Sequence, residues 1–404
     1  MKLAIVTSHP IQYNAPLFKL MSKEPGFQIK VFYTWSQSKS GVKFDPVFGK
    51  MIEWDIPLLD EYEYEFVENI AKEPGSHHFR GIDNPNLIEK IKAWNPGFLL
   101  VFGWSFKSHL GCMRYFKGKI PVLFRGDSTL LDEKPGIKKI LRKIFLTWVY
   151  SHIDYALYVG KNNKNYFLAN GLKEGQLIFA PHAIDNQRFG TNVEVYQNAA
   201  DIKRLELGIK ETDMVILFAG KLEEKKDPGF VLRLAKTILK TQLKFLIIGN
   251  GHLERELKAA ASGDPRIVFL DFQNQKEMPV IYRMADIFIL PSVRNETWGL
   301  AINESMACGR PVVASNKVGC VPDLVIDGET GWVFEPGSNG EARIAYLIDK
   351  SLHNREMLHS LGNNAHKRIQ QYSYFEIIAR INQLQDQILL KKNISVMSEH
   401  SKSI

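Results

Sequence analysis

Short runs of β-branched and aromatic residues alternate with amphipathic segments almost from end to end of this chain, in two series separated by a polar break. Such alternation calls for parallel strands, since successive parallel strands need a crossover, and a helix is the usual one. In the first series, strands are expected at Leu3–Thr7, Gln28–Tyr33, Phe98–Phe102, Pro121–Phe124, Tyr155–Tyr158 and Leu177–Ala180. Helices fall between them at Ala15–Lys23, Leu87–Trp94, Gly136–Tyr150 and Asn162–Asn170. The second series places strands at Met214–Phe218, Lys244–Ile248, Ile267–Leu270, Ile287–Leu290 and Pro311–Ala314, with helices at Pro228–Lys240, Leu253–Ala261, Pro279–Met284 and Leu300–Cys308.

The break, Asp185–Thr212, is rich in Asn, Gln and charge and holds no strong strand. The expected class is therefore α/β, with two Rossmann-like domains. A length of 404 residues suits two domains rather than one. The first domain is expected over 1–190, a hinge over 191–212 and the second domain over 213–370. A helix over 371–391 returns to the first domain, and 392–404 forms a flexible tail. Two doubly wound sheets put a cleft at the carboxyl ends of their strands, where ligands of such sheets bind.

Composition narrows the function classes. At 45% hydrophobic and 24% charged residues the chain is neither disordered nor fibrous, and no run of about 18 apolar residues suggests a membrane span. The apolar start is too short for a signal peptide, broken by His9-Pro10 and Gln12, and is expected as a buried strand. Three cysteines, Cys112, Cys308 and Cys320, form no CxxC and suggest neither a disulfide framework nor structural zinc. A cytoplasmic protein is expected. The balance of 52 basic against 44 acidic side chains gives +8, which suits anionic partners such as phosphates, nucleotides or acidic lipid, or serves solubility alone.

Chemistry-bearing residues gather in two segments. In Pro291–Ser315, "PSVRNETWGLAINESMACGRPVVAS", a strand ends at Pro291, a loop carries Glu296, and Gly299 opens a helix that stops at Gly309. Glu296 and Glu304 make an E-x7-E, and the free amides of Gly299 and Leu300 form a ready phosphate site. Glu304 is alternatively a carboxylate favoured by the helix dipole. In "FAGKLEEKKDP", Lys221 and Lys226 follow a strand and would suit a diphosphate leaving group, or belong to a solvated charge run. A rival signal is Gly249-Asn250-Gly251 between a strand and a helix, with Asp271 at the end of the next strand. It resembles a dinucleotide fingerprint but has Glu254 in the third glycine position.

Taken in order, "FAGKLEEKK", "LIIGNGHLEREL", "MADIFILPS" and "ETWGLAINESMACGRPVVAS" closely resemble family-4 retaining glycosyltransferases of the GT-B fold. "SHPIQYNAPLFKLM" and "IFAPHAIDNQRF" extend the resemblance over nearly the whole chain. It implies two Rossmann-like domains facing across a cleft, acceptor in the first and nucleotide-sugar donor in the second. By this resemblance Glu296 contacts the donor sugar and Glu304 the ribose. Gly299 and Leu300 hold the distal phosphate, and Lys221 and Lys226 stabilise the leaving diphosphate in place of a metal. Gly220, Asn250, Thr297 and Trp298 join the donor side. The co-substrate is a UDP- or GDP-sugar, with no other cofactor and no metal, and the absence of any DxD agrees.

Three departures stand out: Lys221 where the family has Arg, Ser8-His9-Pro10-Ile11-Gln12 in place of a glycine-rich turn, and Gly319-Cys320 in place of Gly-Gly. In the first domain, His9 or Asp127 is expected to orient or deprotonate the acceptor hydroxyl, although Asp127 also suits a capping turn. Gln12, Asn14, Trp104 and Arg125 are further acceptor-side candidates.

Pro135–Trp148 reads as a basic amphipathic helix: Ile137, Ile140, Leu141, Ile144, Phe145 and Trp148 recur at helical spacing among Lys138, Lys139, Arg142 and Lys143. It either docks on an anionic membrane surface, for a protein at its cytoplasmic face, or packs its stripe on the first sheet. The expected function is sugar transfer to a glycan or lipid-linked acceptor, in the cell-surface polysaccharide or glycolipid synthesis common among such relatives. No nucleic acid is expected. The alternatives are a catalytically silent sugar-nucleotide-binding or scaffold protein and an NAD-dependent oxidoreductase.

Overall fold

The structure is a computed structural model that describes residues 1–35, 42–45 and 50–400. In chain order the strands are β1 (Lys2–Thr7), β2 (Gln28–Tyr33), β3 (Val42–Asp45), β4 (Lys50–Glu53), β5 (Glu63–Phe66), β6 (Phe98–Phe102), β7 (Val122–Arg125), β8 (Tyr155–Tyr158) and β9 (Leu177–Phe179). They continue as β10 (Met214–Ala219), β11 (Leu243–Ile248), β12 (Ile267–Leu270), β13 (Ile287–Leu290), β14 (Val312–Ser315) and β15 (Gly331–Phe334). The first sheet runs β5-β2-β1-β6-β7-β8-β9 and the second β12-β11-β10-β13-β14-β15, while β3 and β4 form a separate antiparallel pair. Every pairing in the two large sheets is parallel.

The central strands read as continuous apolar runs because both their faces are covered. In β1, Leu3 and Ile5 point into one core and Ala4 and Val6 into the other. In β10, Val215 and Leu217 face one core while Met214, Ile216 and Phe218 face the second. Truncating Leu217, fully buried, to Ala would cost about 2–5 kcal/mol. Strand order reverses between β1 and β6 and between β10 and β13, so crevices open at the carboxyl ends of those pairs.

The polar stretch 191–212, expected as a hinge, instead carries the helix Val193–Glu206, and it belongs to the second domain. Ala200 and Ile209 sit in the core with Tyr282 and Met278. Arg204 donates to the carbonyls of Asp213 (2.7 Å) and Met284 (3.2 Å). Ala200 is the helix's one fully buried residue, with Tyr196 and Ala199 packed beside it, and the arginine hydrogen bonds add to this contact. Helices Lys107–Phe116, Ser338–Ser351 and Arg355–Ile369 also lie outside the expected set. The last helix, Tyr374–His400, enters the stretch expected as a tail, and 401–404 lie outside the described residues. Its Tyr374, Ile377, Ile378, Ile381, Leu384 and Ile388 pack with Leu3, Ile5 and Phe18 of the first domain. The chain thus crosses between domains twice, after β9 and again before Tyr374. The crossings touch, because Asn186 Nδ2 donates to the carbonyls of Ile369 (3.1 Å) and Tyr372 (3.3 Å).

The basic helix Ile137–Tyr150 packs on the sheet through Leu146, Val149 and Tyr150. Its stripe does not pack there: Ile137, Ile140, Leu141, Ile144, Phe145 and Trp148 are exposed. The contact is made by the last turns, at positions that lie off the stripe.

Candidate active site

Loops at the carboxyl ends of β1, β7, β10, β11 and β13 enclose a cavity of about 430 Å³ between the domains. The first domain contributes Gln12, Tyr13, Asp127 and His182. The second contributes Gly220, Lys221, Lys226, Glu296, Thr297, Trp298, Gly299, Leu300 and Glu304.

After β13 the chain turns through Asn295 (φ 53°) and Gly299 (φ 96°), the latter in a left-handed conformation that favours glycine and opens the helix Leu300–Ala307. The first amides of this helix have no partner within it, and its dipole favours an anion at this end. Glu296 on the same loop is ion-paired with Lys226 and accepts from Ser292 Oγ at 3.2 Å. The loop is pinned from behind by a crossing strand of chain: Gly319 N donates to Glu296 O (2.9 Å) and Cys320 N to Trp298 O (3.0 Å). A Cβ on Gly319 would lie 1.8 Å from the Thr297 carbonyl oxygen, so this close approach requires glycine. Gly309 (φ 70°) ends the helix, as its spacing predicts.

Glu304 is buried and its carboxylate joins the domains. Oε1 accepts from Tyr13 Oη (3.1 Å) and Oε2 from Tyr282 Oη (2.8 Å). Burial raises the Glu304 carboxyl above its ordinary value, and the two phenol bonds offset this in part. Burial, together with the adjacent carboxylate, pushes both phenols well up. Tyr13 is held in turn by Tyr374 Oη, which donates to its carbonyl at 2.9 Å.

Across the cavity Asp127 Oδ2 accepts from Thr297 Oγ1 (2.7 Å), a second link between the domains, and lies 3.8 Å from His182 Nε2. Burial works to raise the Asp127 carboxyl, but its contacts with His182 and Thr297 outweigh that and hold it at about 2. Burial, reinforced by the charge of Arg125, lowers His182 against the opposing pull of Asp127, so the ring is neutral at pH 7. Arg125, buried, donates to the carbonyls of Ala180 (2.7 Å) and Pro181 (2.8 Å), and Asn303 Nδ2 donates to His182 O (3.0 Å). The same Asn303 accepts from Trp298 Nε1 at 2.9 Å. The His182 segment is therefore fixed from both domains.

Several sequence candidates do not line the cavity. His9, expected as a catalytic residue, has Nδ1 3.0 Å from Ser8 Oγ and its ring edge-on to Trp35; His182 takes the place beside Asp127. Asn14 precedes the helix Ala15–Lys23, and Trp104 packs against Phe145. Arg125 is structural, fixing the His182 segment. Asn250 is a clamp, donating to Glu254 (2.9 Å) and Asp271 (3.0 Å) and accepting from Phe272 N (3.0 Å). The Gly249-Asn250-Gly251 turn of the dinucleotide rival packs directly on the backbone of Gly220 and Leu222, so that backbone occupies the space beside both glycines. His182, Tyr13 and Tyr282 were missed as site residues. His182 and Tyr13 lie inside segments that carry the family resemblance, the only signal that could have found them. Among the described residues no group of three or more His, Cys, Asp or Glu is placed to hold a metal ion.

Residues 200–368 match the family model described as "Glycosyl transferases group 1". The chain is 27% identical over 266 residues to D-inositol 3-phosphate glycosyltransferase of Corynebacterium glutamicum (strain R), covering 59% of this chain and 61% of that one. It is 28% identical over 216 residues to the Escherichia coli UDP-Gal:alpha-D-GlcNAc-diphosphoundecaprenol alpha-1,3-galactosyltransferase, covering 51% and 52% respectively. The chain thus spans between half and two thirds of the length of these curated relatives. The crystal structure of Anabaena HepE in complex with UDP and glucose superimposes with a TM-score of 0.70 at 16% identity, covering 96% of this chain and 100% of that one. Two Rossmann-like domains facing across a cleft are the GT-B architecture, and this chain has it.

Proposed function

We propose that this chain is a retaining, metal-independent glycosyltransferase that moves a sugar from a UDP- or GDP-sugar to an acceptor hydroxyl. The observation that carries the reading is one cavity wall on which Lys221, Lys226, Glu296 and the start of the helix Leu300–Ala307 meet. Two ammonium groups and a helix N-terminus suit a diphosphate. Lys226 pairs with Glu296; a bound donor would give Lys226 a phosphate partner and leave Glu296 to accept hydrogen bonds from sugar hydroxyls. Glu304, at the far turn of the same helix, takes the ribose.

The course is a front-face displacement. The acceptor oxygen bonds to the anomeric carbon on the side from which the diphosphate departs, the carbon–oxygen bond to phosphate breaks, and the acceptor proton passes to the departing phosphate oxygen. A carboxyl held at about 2 is a poor base for a hydroxyl, so Asp127 orients the acceptor rather than deprotonating it. Neutral His182 lies beside it as a second acceptor contact. The name of the Escherichia coli relative, with its diphosphoundecaprenol-linked sugar, supports a lipid-linked acceptor and a place in polysaccharide or glycolipid assembly; the inositol phosphate in the other name supports a polyhydroxyl acceptor more generally.

Thermal unfolding with UDP, GDP, ADP, CMP and NAD, each with and without EDTA, tests the donor site. A ligand at about 100 times its dissociation constant adds roughly 2.7 kcal/mol. An EDTA-insensitive shift with UDP or GDP is expected, and a shift with NAD alone would overturn the reading. With the matching donor, Glu296→Ala and Lys226→Ala should each lower transfer about 10²–10³-fold while remaining folded. UDP binding without any transfer would instead indicate the silent sugar-nucleotide-binding protein.

A further inference from the structure

The helix Ile137–Tyr150 leaves a large apolar face uncovered. Ile137, Ile140, Leu141 and Ile144 are 74%, 60%, 61% and 63% exposed, and Phe145 and Trp148 continue the stripe as exposed aromatic rings. Contiguous apolar surface of this kind marks an interaction site rather than ordinary scatter. Its chemistry differs from that of the other exposed apolar helix, Val193–Glu206. There Val193, Val195, Ile202 and Leu205 are surrounded by Glu194, Asp201, Lys203, Arg204 and Glu206, a mixture of both signs. The helix Ile137–Tyr150 carries Lys138, Lys139, Arg142 and Lys143 and no acid of its own; Glu133, just before it, pairs with Lys139 at 2.9 Å and leaves the segment a net cation.

Aliphatic residues lead the stripe and aromatic ones close it. Trp148 lies 5.7 Å from Phe145, centroid to centroid, and beneath the Arg114 guanidinium at 5.6 Å, while Phe145 packs on Trp104 at 5.4 Å. Indole rings and arginine favour the headgroup region of a bilayer, and long basic side chains reach the headgroups while their stems cover apolar surface. Among the described residues no helix is long and apolar enough to cross a membrane. The pattern instead belongs to a helix that lies in the interface plane.

From these observations we infer that the helix Ile137–Tyr150 docks this chain on an anionic lipid bilayer, with its apolar stripe among the acyl chains and its four cations on the headgroups. The helix is joined to the cavity by a short loop. Asp127 lies in the cavity wall, and Asp132 Oδ2 accepts from Asn295 N (2.6 Å) on the Glu296 loop, five residues before the helix begins. Docking therefore sets the acceptor side of the cleft close to the lipid surface. That last step, an acceptor delivered from the bilayer, rests on the proposed transfer activity; the docking itself does not.

The test is co-sedimentation of the full chain with vesicles of phosphatidylcholine alone or mixed equally with phosphatidylglycerol. Each cation near such a surface contributes roughly fivefold to affinity, so binding should be at least about tenfold tighter to the anionic vesicles and weaken in high salt. Ile140→Asp with Ile144→Asp should reduce binding at least about tenfold, and Ile202→Asp on the mixed-charge helix should leave it unchanged. Both sites are exposed, so melting temperature and the UDP-induced shift should match wild type. That separates failure of docking from failure of the donor site. Wild-type chain that ignores anionic vesicles, or a double variant that still binds them, would overturn the inference. So would a dimer in solution that the same double variant dissociates, since the stripe would then cover a second copy.

Discussion

Replacing Gly319 by alanine tests how the donor loop is held. The new Cβ would sit 1.8 Å from the Thr297 carbonyl oxygen and 2.4 Å from its carbon. Ordinary C···O contact begins near roughly 3.3 Å, so the two segments must part by about 1.5 Å. That movement breaks the paired bonds from Gly319 N to Glu296 O and from Cys320 N to Trp298 O. Each contributes about 1 kcal/mol, and overpacking adds roughly 1–3 kcal/mol, giving a loss of about 3–5 kcal/mol. For a domain of this size the unfolding transition should fall by roughly 10 °C. Because the displaced residues carry Glu296 and Gly299, about an ångström of misplacement should also cost transfer on the order of a hundredfold. Calorimetry with and without UDP reads the stability loss and nucleotide binding, and the initial rate of sugar transfer reads the second effect. Gly111→Ala is the control: its Cβ meets nothing within 4 Å in the helix Lys107–Phe116, so it should stabilise slightly. If Gly319→Ala melts within about 2 °C of wild type and keeps the full UDP shift, the pinned-loop argument is wrong.

Glu304 should leave a signature in pH. Its folded carboxyl is raised above 4.5 by burial, so the stability it contributes is complete below that value and is lost as pH rises through the folded value. Melting temperatures of Glu304→Gln relative to wild type should therefore be higher at pH 8 than at pH 4, and a constant difference would refute the assignment. His182→Ala should lower transfer at least about tenfold while the UDP shift persists; a wild-type rate would return the acceptor role to another residue. Arg125→Ala strips two buried carbonyls of their donor and should cost about 3 kcal/mol, read by chemical denaturation. Asp127→Asn should weaken acceptor use more than donor binding, seen as a change confined to the acceptor's kcat/KM.

The strands of both sheets were legible because burial on two faces leaves unbroken apolar runs such as Met214–Ala219 and Phe98–Phe102. The helix Val193–Glu206 was hidden by the same logic: its packed face, Tyr196, Ala199 and Ala200, is short and weakly apolar, and its bond from Arg204 to the Met284 carbonyl joins residues 80 apart. At the site, Lys221, Lys226, Glu296 and Glu304 could be found because each lies in a local motif. Tyr13 has no such local motif, and its partner Glu304 is 291 residues away, so only the resemblance of its segment to the family pointed there. His9 is a candidate that the sequence offers and His182 is not, for a related reason. Both follow strands of the first sheet, and only the folded path of the loops decides which ring reaches the cavity.

The paired crossings between the domains have a mechanical consequence. Because Asn186 binds the backbone of the returning segment at Ile369 and Tyr372, the two connections act as one short axle rather than two independent tethers. Relative motion of the halves should then be a swing about that axle, which would open and shut the Asp127–Thr297 contact more readily than the Tyr13–Glu304 contact, since Tyr13 is itself held by Tyr374 just past the axle. A single protease nick in either connection leaves the other holding, so the halves should stay together through limited digestion and separate only when both are cut.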